Sequence, residues 1–183
     1  EEGPGGLEVD PSPTYRTRYS GGTDYPAGSG TRVQGNNWFL RLPYATTYST
    51  WIMVRFDANT FRYYERDLSD YTLFRGRYGN QKSRIRKSGA GSSETWYLYD
   101  TRGKTYTFPY SAGFRCTRIQ GVGGAEVTIA YASGSITVLQ KPSATSGNEV
   151  RKFTYVIASN RVDRVDIQEK VSGAWKLYRK VDF

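Results

Sequence analysis

Hydrophobic and polar residues alternate along most of the chain from residue 37 onward, in short runs separated by glycine, asparagine, serine and aspartate. An alternation with a period of two places apolar side chains on one face of an extended strand and polar side chains on the other. No window of the sequence shows the sustained period of 3.6 residues that an amphipathic helix needs. The pattern therefore predicts an all-β fold with little or no helix.

The clearest alternation lies in residues 95–108. Tyr97 and Tyr99 fall on one face of the first run, and a second alternating run follows a polar break. Asp100 and Gly103 supply the turn chemistry of this break, since aspartate bonds nearby backbone and glycine accepts a positive φ. We expect a β-hairpin here, with the two tyrosines on one face of its first strand.

Similar runs recur along the rest of the chain, and most of them are joined by short turn signals. Consecutive strands joined in this way pair antiparallel, so the sequence predicts an antiparallel meander of β-hairpins. The predicted strands are residues 38–42, 51–56, 61–65, 73–77, 83–87, 95–99, 105–108, 114–120, 126–131, 135–140, 150–157, 161–170 and 174–183.

The motif Tyr-x-Tyr-Asp-x-x-Gly, formed by Tyr97, Tyr99, Asp100 and Gly103, resembles the tyrosine-aspartate (YD) repeats of the Rhs family. Looser versions without the aspartate follow downstream, so the likeness covers roughly residues 50 to 183. Upstream, residues 35–40 are similar to the Gly/Asn-Trp segment that opens such arrays in long, secreted bacterial Rhs-like proteins.

The resemblance implies a fold and a general kind of function, and it implies no catalytic residue. Members of this family build a spiralling β-sheet that closes around a toxin or serves as an extracellular scaffold. This chain has 183 residues and one complete motif, which is too little to enclose another protein. The resemblance therefore implies a secreted or cell-surface structural module from the N-terminal part of a repeat array.

The sequence divides into an arm and one folded domain. Residues 1–13 contain four acidic residues and three prolines but no basic residue, and they are too polar to form a core. We expect residues 1–36 to be an extended, partly disordered arm and loop. Residues 37–183 should form a single β-repeat domain.

The amino-acid composition excludes several kinds of catalytic site. The chain has no histidine, which excludes Ser-His-Asp and Cys-His catalysis and histidine metal sites. Cys116 is the only cysteine, so no internal disulfide forms, and we interpret it as a small buried or half-buried residue, with an intermolecular disulfide or a nucleophile as the alternative. Glu65, Asp67 and Asp70 leave a calcium or catalytic site open, but they lack the spacing of a calcium loop. We predict no enzyme activity, no cofactor and no metal.

No apolar run approaches the ~20 residues of a membrane-spanning helix. The net charge is +9, from 26 basic and 17 acidic residues, and it points to a partner. Six cations fall in a stretch without any acid, with Phe74 and Tyr78 interleaved, and we call this set the basic segment. The basic segment consists of Arg75, Arg77, Lys82, Arg84, Arg86 and Lys87.

Two interpretations of the basic segment remain open. It could bind an anionic polysaccharide or another polyanion, with aromatic rings stacking on sugars, although nucleic acid is not the expected partner. Alternatively, it is a solvated face, or it meets an acidic surface of the same protein, such as the arm.

The last predicted strand, residues 174–183, has Trp175, Leu177, Val181 and Phe183 on one face in a simple alternation. We therefore expect a strand that is buried on one side and that leaves an open sheet edge, which invites another strand. The leading hypothesis is a non-enzymatic extracellular structural module that associates with itself or with further repeats of a parent protein. The alternative is a module that binds an anionic glycan or other polyanion.

Overall fold

The computed structural model describes residues 14–15, 38–57, 59–142, 149–159 and 161–183. Within these residues, thirteen antiparallel strands follow one another in a single sheet in sequence order, and two short strands form a separate pair. The predicted all-β hairpin meander is confirmed. The strands are β1 (Thr14–Tyr15), β2 (Trp38–Phe39), β3 (Tyr44–Tyr48), β4 (Trp51–Arg55), β5 (Phe61–Arg66), β6 (Leu73–Gly76), β7 (Arg84–Ser88), β8 (Thr95–Tyr99), β9 (Thr105–Pro109), β10 (Arg118–Gln120), β11 (Glu126–Ala132), β12 (Ser135–Lys141), β13 (Arg151–Ala158), β14 (Arg161–Val171) and β15 (Ala174–Asp182).

Helical structure in the described part is limited to three single turns of 3₁₀ helix, of three residues each. They lie at Gly91–Ser93, Tyr110–Ala112 and Val122–Gly124, all of them in connections between strands. None of the helices in the described residues is long and apolar enough to cross a membrane.

The predicted arm, residues 1–36, lies outside the described residues except for β1. Thr14 pairs with Phe39 and Tyr15 with Trp38, so the arm contributes one strand of the separate antiparallel pair β1–β2. The division at residue 37 therefore stays a prediction.

The core lies on one face of the large sheet, which we call the inner face. Alternate residues of successive strands point there because each strand has a period of two. Trp96 and Phe108 face each other across β8 and β9 and are at most 1% exposed. Burying each such side chain contributes roughly 1.5–3 kcal/mol. Other members of the core are Ile52, Val54, Tyr64, Phe74, Ile85, Leu98, Val127, Ile129, Ile136, Val138, Phe153, Tyr155 and Val165.

The sheet curls until its first strand meets the segment that follows β9. The backbone N–H of Ala45 donates to the carbonyl of Phe114 at 2.9 Å, and the N–H of Cys116 donates to the carbonyl of Pro43 at 2.8 Å. Phe114 has a φ of +57°, which turns the chain toward β3. This closure pairs part of the β3 edge, whereas β15 at the other end of the sheet pairs with β14 alone among the described residues.

The predicted hairpin of residues 95–108 is confirmed. Tyr97 lies opposite Thr107 and Tyr99 opposite Thr105, on the outer face of the β8–β9 pair. Their neighbours on β8 point to the core, as the alternation predicts.

Two predicted strands are wrong in their bounds. The strand expected at residues 38–42 ends at Phe39, and the next strand, β3, was not predicted. Pro43 has no N–H to donate to a neighbouring strand, so it does not favour the end of the predicted strand. The strand β3 was missed because it depends on its pairing with β4 more than on a clear alternation of its own. The strand expected at 114–120 is reduced to β10, because the positive φ of Phe114 breaks the extended conformation before it.

The last strand does not have the single apolar face that was predicted. Its register shifts at Tyr178: Arg179 lies opposite Ile167, but Leu177 lies opposite Gln168. Because this bulge inserts one residue, it moves the side chains before it to the other face. Trp175 consequently lies on the outer face, with the Nζ of Lys152 at 4.9 Å from its ring centroid.

Candidate functional site

The tyrosines of the motif and three cations of the basic segment lie side by side on the outer face of the sheet. Arg84 is opposite Arg75 on one side and Tyr99 on the other, and Arg86 is opposite Tyr97. The guanidinium of Arg84 lies 5.4 Å from the ring centroid of Tyr99, within the range of a cation–π contact. Two features that are separate in the sequence therefore form one surface.

Carboxylates from neighbouring segments neutralise much of this surface. Four of the six cations have an acidic partner, and Lys82 and Arg84 have none in the described part of the chain. Six positive and four negative charges leave a net +2, so the basic segment is a weak site for a polyanion. The pairs are Arg75–Asp67 at 2.5 Å, Arg77–Glu65 at 2.8 Å, Arg86–Asp70 at 3.6 Å and Lys87–Glu94 at 3.2 Å.

The loop between β5 and β6 supplies two of these carboxylates in fixed positions. Oδ1 of Asp67 accepts hydrogen bonds from the backbone N–H and the hydroxyl of Ser69, at 2.9 and 2.6 Å. Thr72 donates to Asp70 in the same way, at 2.9 and 2.6 Å. The Ser69 bonds, with the guanidinium of Arg75 and its charge, hold the pKa of Asp67 far below its usual value, and the Thr72 bonds lower the pKa of Asp70.

These bonds already use the oxygens that a calcium ion would need. Among the described residues, no three His, Cys, Asp or Glu side chains are placed to hold a metal ion. The acidic loop therefore serves to orient arginines of the basic segment.

Asp100 and Gly103 build the turn of the β8–β9 hairpin. Oδ1 of Asp100 accepts from the backbone N–H of Arg102 at 2.8 Å and of Lys104 at 2.9 Å. Gly103 has a φ of +75°, and a Cβ there would lie 2.6 Å from a methyl group of Val122. In this unit the aspartate and glycine of the motif are structural residues that fix the hairpin.

Cys116 is fully buried in the core, and its thiol donates to the carbonyl of Arg118 at 3.3 Å. Burial raises the pKa of this thiol to about 12, so a reactive thiolate does not form near neutral pH. The structure agrees with the interpretation of Cys116 as a core residue.

The open edge of the sheet is β15. It pairs with β14 and with no other strand of the described residues, so alternate backbone groups on its far side point away from the sheet. Leu177 is 59% and Tyr178 73% exposed, and Lys176 and Lys180 flank them on the same strand.

Comparison of the chain with protein-family models, with curated proteins and with solved structures found no match. The resemblance of residues 97–103 to YD repeats therefore stays a prediction from the sequence.

Proposed function

We propose that this chain is a non-enzymatic structural module of a secreted or cell-surface protein, built of YD-like β-hairpins. It acts by joining its sheet to a further strand at β15. The observation that carries the proposal is the nine-residue open edge of β15, which follows an otherwise continuous meander of paired strands. Unpaired N–H and C=O groups along such an edge form a template for another strand.

The charge of β15 favours a strand of different sequence over a second copy of β15. Lys176, Arg179 and Lys180 outweigh Asp182 on this strand, so two copies of β15 brought edge to edge would each present net positive charge to the other. Like charges that face each other across strands destabilise the pair. Lysines and a bulge are also the devices by which edge strands avoid indiscriminate pairing.

The opposite end of the sheet, at β3, has less free edge for a partner strand. The segment 114–116 already covers part of the β3 edge, through the hydrogen bonds of Ala45 and Cys116. A head-to-tail contact between β15 of one copy and β3 of another would have to displace it. The partner that fits best is therefore a strand of a further hairpin repeat with acidic or neutral side chains facing Lys176 and Lys180. Exposed Leu177 and Tyr178 give that strand apolar surface to cover.

A charge-swapped partner tests whether β15 accepts such a strand. The test protein is the double variant Lys176→Glu with Lys180→Glu, whose β15 carries a net negative charge where the wild-type strand carries a net positive one. Each protein alone should sediment as a monomer at physiological salt, because two edge strands of the same net charge repel each other. An equimolar mixture should contain a species of twice the mass, and high salt should weaken it.

The control replaces Leu177 by Pro in both proteins, which removes a backbone N–H from the side of β15 that faces away from β14. This change should abolish the mixed species. A mixture that stays monomeric at every protein concentration tested, or a mixed species that survives the proline, would contradict edge pairing through β15.

A further inference from the structure

A groove lies on the outer face of the sheet, where β4 and β5 meet the loop that follows β6. Its volume is about 480 Å³, within the ~300–1,000 Å³ of small-ligand sites. A second hollow of about 440 Å³ adjoins it and shares Glu65, Arg77 and Tyr78. The groove is lined by Trp51, Tyr63, Tyr64, Glu65, Arg77 and Tyr78.

Aromatic rings form the walls of the groove. Trp51 meets Tyr63 edge to face, with ring centroids 5.2 Å apart and planes at 64°. Tyr63 meets Tyr78 at 6.2 Å and 83°. Tyr48 stacks on the back of Trp51 at 3.7 Å and 11°, which fixes the indole. Tyr78 is 85% exposed, so its ring is open to a ligand.

One ion pair supplies the polar groups of the groove. Arg77 donates to Glu65 at 2.8 Å, and their side chains are 55% and 49% exposed. The pair therefore keeps free donors on the guanidinium and free acceptor positions on the carboxylate. Apolar rings beside a few convergent polar groups are typical of small-ligand sites.

The backbone at Tyr78 lies in the left-handed region, which a tyrosine seldom adopts. Tyr78 has a φ of +52° and Gly79 a φ of +82°, and the N–H of Asn80 donates to the carbonyl of Arg77 at 3.3 Å. Positive φ at both central residues defines a type I′ turn, which prefers asparagine rather than tyrosine at its first central position. Strain of this kind concentrates at functional sites.

Hydrogen bonds to a buried side chain and within the loop hold the loop that carries Tyr78 in place. The amide of Asn80 donates to the hydroxyl of buried Tyr64 at 3.0 Å, and the hydroxyl of Ser83 donates to the carbonyl of Asn80 at 2.8 Å. Gly76 allows this approach, because a Cβ there would overlap the carbonyl oxygen of Asn80. The backbone that carries the exposed ring is therefore preorganised, which lowers the entropy that binding would cost.

We propose that this groove binds a pyranose ring of a neutral polysaccharide. The C–H face of a pyranose is apolar and packs on an aromatic ring, while its equatorial hydroxyls both donate and accept hydrogen bonds. Tyr78 and Trp51 supply the apolar contact, Glu65 accepts from hydroxyls and Arg77 donates to them. The adjoining hollow extends the groove, so it has room for a neighbouring sugar unit.

The charges of the groove argue against two other ligands. A quaternary ammonium group also suits an aromatic cage, but Arg77 and the net charge of +9 repel it. An anionic sugar chain gains little at this groove, because Glu65 already neutralises Arg77. The site is separate from β15, so loss of sugar binding and loss of edge pairing are independent outcomes.

The test is titration calorimetry and tryptophan fluorescence of the full chain with three neutral probes, cellohexaose, chitohexaose and xylohexaose. At least one probe should bind and change the fluorescence. The deciding variant is Tyr78→Asn, which removes the ring and gives the turn its preferred residue. It should weaken binding by about tenfold or more, the scale on which removing a stacking ring acts, while the melting temperature stays the same or rises.

The matched control is Tyr178→Asn, which removes a tyrosine outside the groove that is 73% exposed, against 85% for Tyr78, and should leave binding unchanged. Choline and polygalacturonate serve as the cationic and anionic probes. The proposal is overturned if none of the neutral probes binds, if Tyr78→Asn binds as well as wild type, or if only a charged probe binds. A fall in melting temperature for Tyr78→Asn would overturn the assignment of strain to that residue.

Discussion

Replacing Asp100 by alanine tests whether the aspartate of the motif stabilises the β8–β9 hairpin. The substitution removes the carboxylate oxygen that accepts from the N–H groups of Arg102 and Lys104. A hydrogen bond to a charged group contributes about 1.5–3 kcal/mol, and a bond between neutral groups about 0.5–1.5 kcal/mol. Because one of these bonds is exposed and the other part-buried, we take about 1 kcal/mol for each, below the range for a charged acceptor, and expect a loss of about 2 kcal/mol in total.

A loss of this size is a measurable part of the ~5–15 kcal/mol by which a domain is stable. For a chain of this length, each kcal/mol lowers the melting temperature by about 2–4 °C, so Asp100→Ala should melt about 4–8 °C below wild type. The assay is thermal and urea unfolding followed by circular dichroism and tryptophan fluorescence. Asp100→Asn keeps an oxygen acceptor without the charge and should lose about half as much.

The matched control is Asp163→Ala. Asp163 is exposed on β14, and its side chain makes no hydrogen bond or ion pair with the described residues. Its loss should stay within the ~0.5 kcal/mol typical of exposed sites. Equal stability of Asp100→Ala and Asp163→Ala would refute the structural role that we assign to the motif aspartate.

Three further predictions concern the core, the acidic loop and the groove. Cys116, whose pKa burial raises to about 12, should resist a thiol reagent at pH 8 until the chain unfolds, and reaction at a free-thiol rate would contradict its burial. The folded pKa of Asp67 is depressed, so its stabilising effect is present above the unfolded value of ~3.9 and is lost as pH falls toward the folded pKa; an NMR titration should show this low pKa, and Ser69→Ala should raise it. Gly76→Ala should displace Asn80 and cost at least ~2 kcal/mol in urea unfolding, whereas no loss would show that the loop moves freely.

The sequence determines the class of fold and the hairpin at residues 95–108. Alternation with a period of two is a local property, and Asp100 and Gly103 satisfy their turn through bonds to residues at most four positions away. Such features survive in any antiparallel sheet, which is why they could be predicted without knowing the neighbours of each strand.

The sequence did not reveal where the strands bend and which edges close. The closure of residues 43–45 on 114–116 joins segments about 70 positions apart, and no local pattern encodes such a contact. The bulge at Tyr178 reverses the faces of Trp175 and Leu177, because one inserted residue changes the parity of every side chain before it.

The run of cations can be seen in the sequence, whereas the ion pairs that neutralise much of it arise from the tertiary structure. The sequence determines that the basic segment contains no acid, but only the fold brings Glu65 and Asp67 from β5 and the loop after it to Arg77 and Arg75. The groove depends on the fold as well, since Trp51 on β4 and Tyr78 in the loop after β6 meet only across Tyr63 on β5. Pairing between strands depends on distance in space, and the sequence alone records only distance along the chain.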